Sequence, residues 1–380
     1  MGTLAKLNRC FGLKRFSSLV GFVCCCIQPI GALKADYGPE ERPEKRPENT
    51  PAKRSEKKLV LIHSYDETFR FTGLEDMGIV KAVDRYGSPE HWTITRFYLD
   101  SKRRPEPAHI RQNAEEVKRA LLKLKPDAII LTDDDAFSTL YLFLRSLKIP
   151  ISFAGINGRL EDYGYRNGDR NVSGTLESYN IPAAVKVAMK LRPTADSVLI
   201  TSEPDLTGRA LLSDFKTQIL NDDALQKAHL KVETSIGTQY EQLQNRLRRV
   251  DPDKTIVILA AYFTQRDRNG RYISREEANH WVMENTRFID IGHVSFQMAE
   301  GRLLGFGFSA EEMGYYAARI LFNSIHSGED LGLIPVRQQL PLQLVVNFER
   351  AKRLDLQFPF ELLSYVQDSQ RMYEGTELAP

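Results

Sequence analysis

The stretch KLVLIHSYDETFRFTGLEDMGIVKAVDRYG, residues 58–87, decides how the rest of the chain is read. Leu59 to Ile62 form a wholly apolar run, which fits a strand covered on both faces. His63-Ser64-Tyr65 end that run, and an amphipathic helix is predicted over 73–86. The same unit recurs down the chain. Strands are predicted at 58–63, 92–99, 127–132, 150–154, 197–201, 229–234, 255–260 and 287–291. Helices are predicted near 73–86, 107–124, 136–147, 181–191, 206–220, 239–250 and 274–285. Alternation at this spacing implies an α/β architecture with parallel sheets.

The repeat has a longer period. Four units precede about residue 160 and four follow about residue 195, separated by the loop-rich GRLEDYGYRNGDRNVSGTLESYN, residues 158–180. The simplest arrangement is two similar α/β lobes, 58–175 and 176–299, joined where the chain crosses near 172–182. In such lobes ligands collect beyond the carboxyl ends of the strands, so two facing lobes share one cleft. Polar residues concentrate in those strand-end loops. Ser64 and Tyr65 follow the first strand, Asp100 with Ser101 and Lys102 the second, Thr132, Asp133 and Asp134 the third, and Gly155 and Asn157 the fourth. Glu177 and Tyr179 sit at the crossing, while Ser202, Thr207, Gly208 and Tyr262 end strands of the second half. Carboxylates for an ammonium and backbone N–H groups at helix starts for an anion suit a small polar or zwitterionic solute.

Composition narrows the function classes. The 380 residues are 42% apolar and 27% charged, with a formal charge of +2, so no basic face is implied and nucleic acid is not an expected partner. All four cysteines (Cys10, Cys24, Cys25, Cys26) precede residue 27, which excludes a disulfide framework, thiolate-bound zinc or a thiol nucleophile from the remainder. Residues 1–35 read as an export signal. Lys6, Arg9, Lys14 and Arg15 precede the apolar run from Leu19 to Ile27, and cleavage is expected near Ala35. An uncleaved anchor and a lipidated cysteine are the alternatives. Residues 36–57 alternate charge and proline and are expected to form a disordered linker, and 367–380 a C-terminal tail.

With the loops assembled in order, a family resemblance appears. HSYDETF (63–69), FYLDSKR (97–103), LTDDDAF (131–137), ISFAGIN (151–157) and TSEPDLTGR (201–209) are its first signatures. AEGRLLGFGFSAEEMGYYAARILFNSIHSGEDLGLIPV (299–336) and PLQLVVNFERAKRLDLQFPFELL (341–363) continue it. Together, from 58 to about 366, they resemble the substrate-binding proteins of ABC transporters, in the tryptophan-binding-protein-like branch. The module also occurs as the sensor region of bacterial signalling proteins. The resemblance implies the type I periplasmic-binding-protein fold, an α/β architecture of two Rossmann-like lobes with parallel sheets joined by three hinge crossings. Lobe 1 would be completed by about 300–336, including a helix near 310–327, and lobe 2 by about 337–366. It further implies a monomeric, periplasmic or otherwise extracytoplasmic protein that closes on a small polar ligand such as an amino acid or a related compound. The partner would be a membrane permease or a membrane sensor, with no cofactor. Ser101, Phe71 and Asp355 depart from its pattern, where Thr, Trp and Gly are usual.

Sharper chemistry is weighed against this frame. His63 and Ser64 are adjacent on a strand, so their side chains point to opposite faces, and no G-x-S-x-G elbow surrounds the serine; no catalytic residue is assigned. Asp133-Asp134-Asp135 lacks EF-hand spacing, so no metal is expected; one aspartate should cap the following helix and one should face the cleft. Thr207-Gly208 opens a helix and is either an ordinary cap or an anion site. Tyr65 and Tyr262 are candidates to stack on a ligand, whereas Phe71 is assigned to the core. Gly305-x-Gly307-x-x-Ala310 imitates a dinucleotide fingerprint, but Ser309 and Glu312 read as a capping box.

Overall fold

A computed structural model describes residues 56–166, 169–338, 343–363 and 366–368. The export signal and nearly all of the charged linker lie outside the described residues, as does the tail beyond Asp368. In chain order the strands are β1 Glu56–His63, β2 His91–Tyr98, β3 Ala128–Thr132, β4 Ile151–Ile156, β5 Val172–Leu176, β6 Ser197–Ser202 and β7 Lys231–Ile236. They continue as β8 Thr255–Leu259, β9 Ile289–Ile291, β10 Leu304–Phe306, β11 Arg337–Gln338, β12 Leu344–Val346 and β13 Val366–Asp368.

These strands form two sheets with one topology. The first runs β11-β5-β4-β3-β1-β2 and the second β13-β12-β10-β9-β8-β6-β7. Every pair is parallel except β10 with β12. Each lobe thus carries the order 2-1-3-4-5, whose strand order reverses between its first and third strands. That reversal lies between β1 and β3 in lobe 1 and between β6 and β8 in lobe 2. The apolar strand interiors explain the double cover: Leu59 to Ile62 and Ile256 to Leu259 are at most 1% exposed.

Several boundaries differ from the sequence expectation. Glu56 and Lys57, expected to close the linker, already pair with β2. β10 belongs to the second sheet, so the return to lobe 1 follows Phe306 rather than falling near 300; β11 still belongs to the first sheet. β13 runs to Asp368, past the start expected for the tail. β5 lies within a stretch read as loop. Asp355, where glycine is usual, has a φ of 52°, the left-handed conformation that glycine adopts most readily.

The returning helix, Ala310–Ser327, packs against Arg70–Tyr86 of lobe 1. Two glycines permit the approach. A Cβ on Gly78 would lie 1.8 Å from the Glu311 carbonyl oxygen, and one on Gly314 would lie 2.1 Å from that of Glu75. The helix is opened by Ser309, whose side chain accepts from the Glu312 N–H at 3.3 Å, as a cap and not as a nucleotide turn. Around this contact Leu59, Leu61, Ile79, Leu321 and Phe322 are fully buried, each contributing about 1.5–3 kcal/mol.

Candidate functional site

The loops at both strand-order reversals line a narrow cavity of about 30 Å³, far below the ~300–1,000 Å³ usual for ligand pockets, so a ligand enters only as the lobes part. Lobe 1 and the crossing contribute Tyr65, Phe69, Phe71, Lys102, Asp133, Asn157, Glu177 and Tyr179. Lobe 2 contributes Thr207, Leu211, Phe263, His293, Val294, Phe296 and Gln297.

The geometry on the lobe 1 side starts at Ser64. Its hydroxyl donates to the Thr132 carbonyl at 2.7 Å and accepts from the Ala136 N–H at 2.8 Å. It therefore caps the helix Asp133–Leu144 from the neighbouring strand, the role assigned from sequence to one of the aspartates. Freed from capping, Asp133 takes a left-handed backbone (φ 64°) and faces the cavity. Its Oδ1 is buried without a hydrogen-bond partner. Burial first, then the Asp134 carboxylate, raise its pKa well above the ordinary range. Glu177 is raised by burial and by Asp133 and Asp134. Behind them Glu75 is fully buried with neither oxygen partnered, and burial and Asp133 raise it too. Gly155 (φ 73°) floors this group: a Cβ there would stand 3.0 Å from Glu75 Oε1 and 3.1 Å from Asp133 Oδ1.

Asp134 is built differently, although its neighbour is identical. It accepts from the Asn157 and Gly158 N–H groups and from Tyr163, at 2.8–3.2 Å, and so clamps the β4 loop. The Asn157 amide also donates to Asp134 and its oxygen accepts from the Tyr179 hydroxyl, tying the loop to the crossing.

Ionic and aromatic contacts bridge the cleft. Lys102 is 1% exposed, and its ammonium lies 2.8 Å from Asp205 Oδ2 of lobe 2 and 4.8 Å from the centre of the Tyr65 ring. Burial alone would lower its pKa, but Asp205 and Asp135 carry it above its ordinary value. Tyr65 also approaches Thr207 (3.5 Å), Phe69 packs edge-on to Phe263, and Arg266 donates to the Arg103 carbonyl at 2.7 Å. On the lobe 2 wall, His293 is buried against Tyr179 and Phe215 with Nδ1 unpartnered. Burial, then Arg302, push its pKa down to about 3. Deeper in lobe 2, Glu203 accepts from the Phe263 and Thr264 N–H groups, at 2.8 and 2.7 Å, and is pushed up to about 7 by burial and Asp205.

Of the residues selected from sequence, Tyr65, Asp133, Asn157, Glu177, Tyr179 and Thr207 line the cavity. The others do not. Ser64 is a cap, and Thr132 bonds His63 and Asp133. Asp134 is a clamp, and Gly155 lies under the acids. Asp100 pairs with Arg103 at 2.7 Å near the surface. Ser202 donates to the Gly208 carbonyl, and the Gly208 N–H is held by the Asp205 cap at 2.7 Å, so it offers no anion site. Tyr262 donates to Asn279 at 2.9 Å and covers Arg302; the next residue, Phe263, reaches the cavity instead. Phe71, assigned to the core, is both buried and part of the wall. His63 is buried, stacked on Tyr98, with Nε2 3.6 Å from Asp76 and no contact with Ser64 among its hydrogen bonds. The loop after β9, with His293 and Phe296, went unread from sequence; its place past a predicted strand end was the available signal. Among the described residues no group of three side chains could hold a metal ion, and no helix is long and apolar enough to cross a membrane.

No family model and no curated protein matches the chain. Solved structures do. A conserved domain protein from Vibrio cholerae superposes with a TM-score of 0.63 at 14% identity, covering 82% of this chain and 99% of its own. An ABC domain from Streptococcus pneumoniae in complex with L-Trp gives 0.62 at 14% identity, covering 83% and 99%. A substrate-binding protein with adhesive properties from Clostridium difficile, in its ligand-free open form, gives 0.58 at 15% identity, covering 82% and 98%. The fold is that of the type I periplasmic binding proteins.

Proposed function

We propose that the chain is an extracytoplasmic solute-binding protein that closes its two lobes on one small polar ligand and presents the closed form to the permease of an ABC transporter. The observation that carries this is the cavity at both strand-order reversals, with the buried, unpartnered Asp133 oxygen on its wall. A ligand touching both walls contributes its contacts only when the lobes meet, which is what biases a two-state hinge. The proteins of like fold named above support the reading. The adjacent His63 and Ser64 that first suggest catalysis are engaged in stacking and capping, which weighs against turnover.

The test is thermal stabilisation of the purified chain across amino acids, amines, peptides and sugars. One chemical class should raise the melting temperature, and Asp133→Ala or Thr207→Ala should abolish the rise. A flat response to every class counts against the proposal.

A further inference from the structure

We propose that the ligand is an organic cation, an ammonium on an apolar or aromatic body that carries no carboxylate. This rests on the solute-binding reading above and sharpens it. A zwitterion needs a positive group or free N–H groups facing its carboxylate. Among the residues lining the cavity the only such cation is Lys102, and its ammonium is already bound to Asp205 at 2.8 Å. Of the longer helices that open beside the cavity, the one at Leu206 is capped by that same aspartate through the Gly208 N–H, and the one at Asp133 opens on carboxyl groups. His293 faces the cavity as a neutral ring.

Carboxyl groups, by contrast, are in excess, and a bound cation would let them ionise. Asp133 and Glu177 line the cavity, Asp133 with an unpartnered oxygen, and Glu75 behind them has both oxygens unpartnered. All three are at least nine-tenths buried. An ammonium entering from the cavity supplies the charge that this group lacks. The remaining wall suits the rest of such a ligand. The faces and edges of Tyr65, Phe69, Phe71, Tyr179, Phe263 and Phe296 surround the same space, and aromatic rings attract a desolvated cation. The unpartnered Gln297 Nε2 is a single neutral donor on the wall opposite the acids, short of the positive group or paired N–H groups a carboxylate needs, and it suits a hydroxyl or carbonyl on the body.

The experiment titrates the full chain calorimetrically with three probes that share one phenyl body: phenethylamine, phenylalanine and 3-phenylpropionate. Phenethylamine should bind at least tenfold more tightly than phenylalanine, with no measurable heat from the propionate. Asp133→Asn should remove phenethylamine binding while keeping the melting temperature, and Glu177→Gln serves if that variant fails to fold. Phenylalanine binding as tightly as the amine, or phenethylamine unaffected in the folded variants, overturns the inference. If none of the three binds while a sugar or peptide does, the cation inference falls and the solute-binding reading stands. If no solute of any class binds, both fall.

Discussion

Asp205→Asn isolates the buried ion pair that joins the lobes. Asparagine is as good an N-cap as aspartate, so the bond to the Gly208 N–H survives and the helix Leu206–Asn221 keeps its start. What is lost is the charge opposite Lys102. In the closed form that ammonium, 1% exposed between the Tyr65 and Phe263 rings, would be left without its partner. Removing one member of a buried pair costs ~3–5 kcal/mol. Asp205 retains 13% side-chain exposure, so the lower end applies, about 3 kcal/mol. Opening the cleft rehydrates Lys102, so the penalty falls on closure rather than on folding. At 1.4 kcal/mol per tenfold, ligand affinity should weaken by about a hundredfold, with the melting temperature of the unliganded chain little changed. Titration calorimetry with the most stabilising solute measures this. Lys102→Met combined with Asp205→Asn removes the stranded charge and should recover most of the affinity. An affinity for Asp205→Asn within threefold of the parent would refute the claim that this pair helps hold the lobes together.

Three further outcomes follow from individual sites. Below pH 6.5 the unfolded chain protonates His293 while the folded chain, with its pKa near 3, does not, so this residue makes stability fall as pH drops from about 6.5 to 3. His293→Gln should flatten that acid limb by up to ~1.4 kcal/mol per pH unit, read from melting curves at pH 4 to 7. Asp290 is fully buried against Arg350 (3.1 Å) and Arg302 (3.4 Å) and is not among the residues lining the cavity, and Asp290→Asn leaves both guanidinium groups short of a counter-charge. Urea unfolding should show a loss of ~3–5 kcal/mol, and the order of preference among solutes should be unchanged. Gly155→Ala forces a side chain into a left-handed backbone at a cost of ~1–2 kcal/mol and presses on Glu75 and Asp133. It should lower both the melting temperature and the ligand affinity, whereas an affinity equal to the parent's would detach Gly155 from the site.

The sequence disclosed the frame because its strand interiors are almost wholly apolar and its helices periodic. The helices expected at 107–124 and 181–191 span those same residues in the structure. β5 escaped because Val172-Ser-Gly-Thr-Leu176 offers only two large apolar side chains, and its burial comes from neighbours that the sequence does not display. The site was legible as a set of loops but not as a set of side chains. Ser64, Thr132 and Ser202 stand at strand ends as expected, yet their hydroxyls serve nearby backbone and side-chain groups. Tyr262 and Phe263 are neighbours with different roles, because alternation along the chain turns one towards Asn279 and the other towards the cavity. Asp133 and Asp134 likewise differ only in what the β4 loop brings to them. The closeness of His63 to Ser64, which first suggests chemistry, serves to cap a helix on one side and to stack a ring on the other.

In the proposed function, binding of a small solute and closure of the lobes are one equilibrium. Small-angle X-ray scattering of the purified chain, with and without a saturating amount of the most stabilising solute, tests it most directly. The expected outcome is a smaller radius of gyration with the solute and no change in the Asp133→Asn variant. A radius that stays the same for the parent chain at saturation, while calorimetry shows the solute bound, would contradict it.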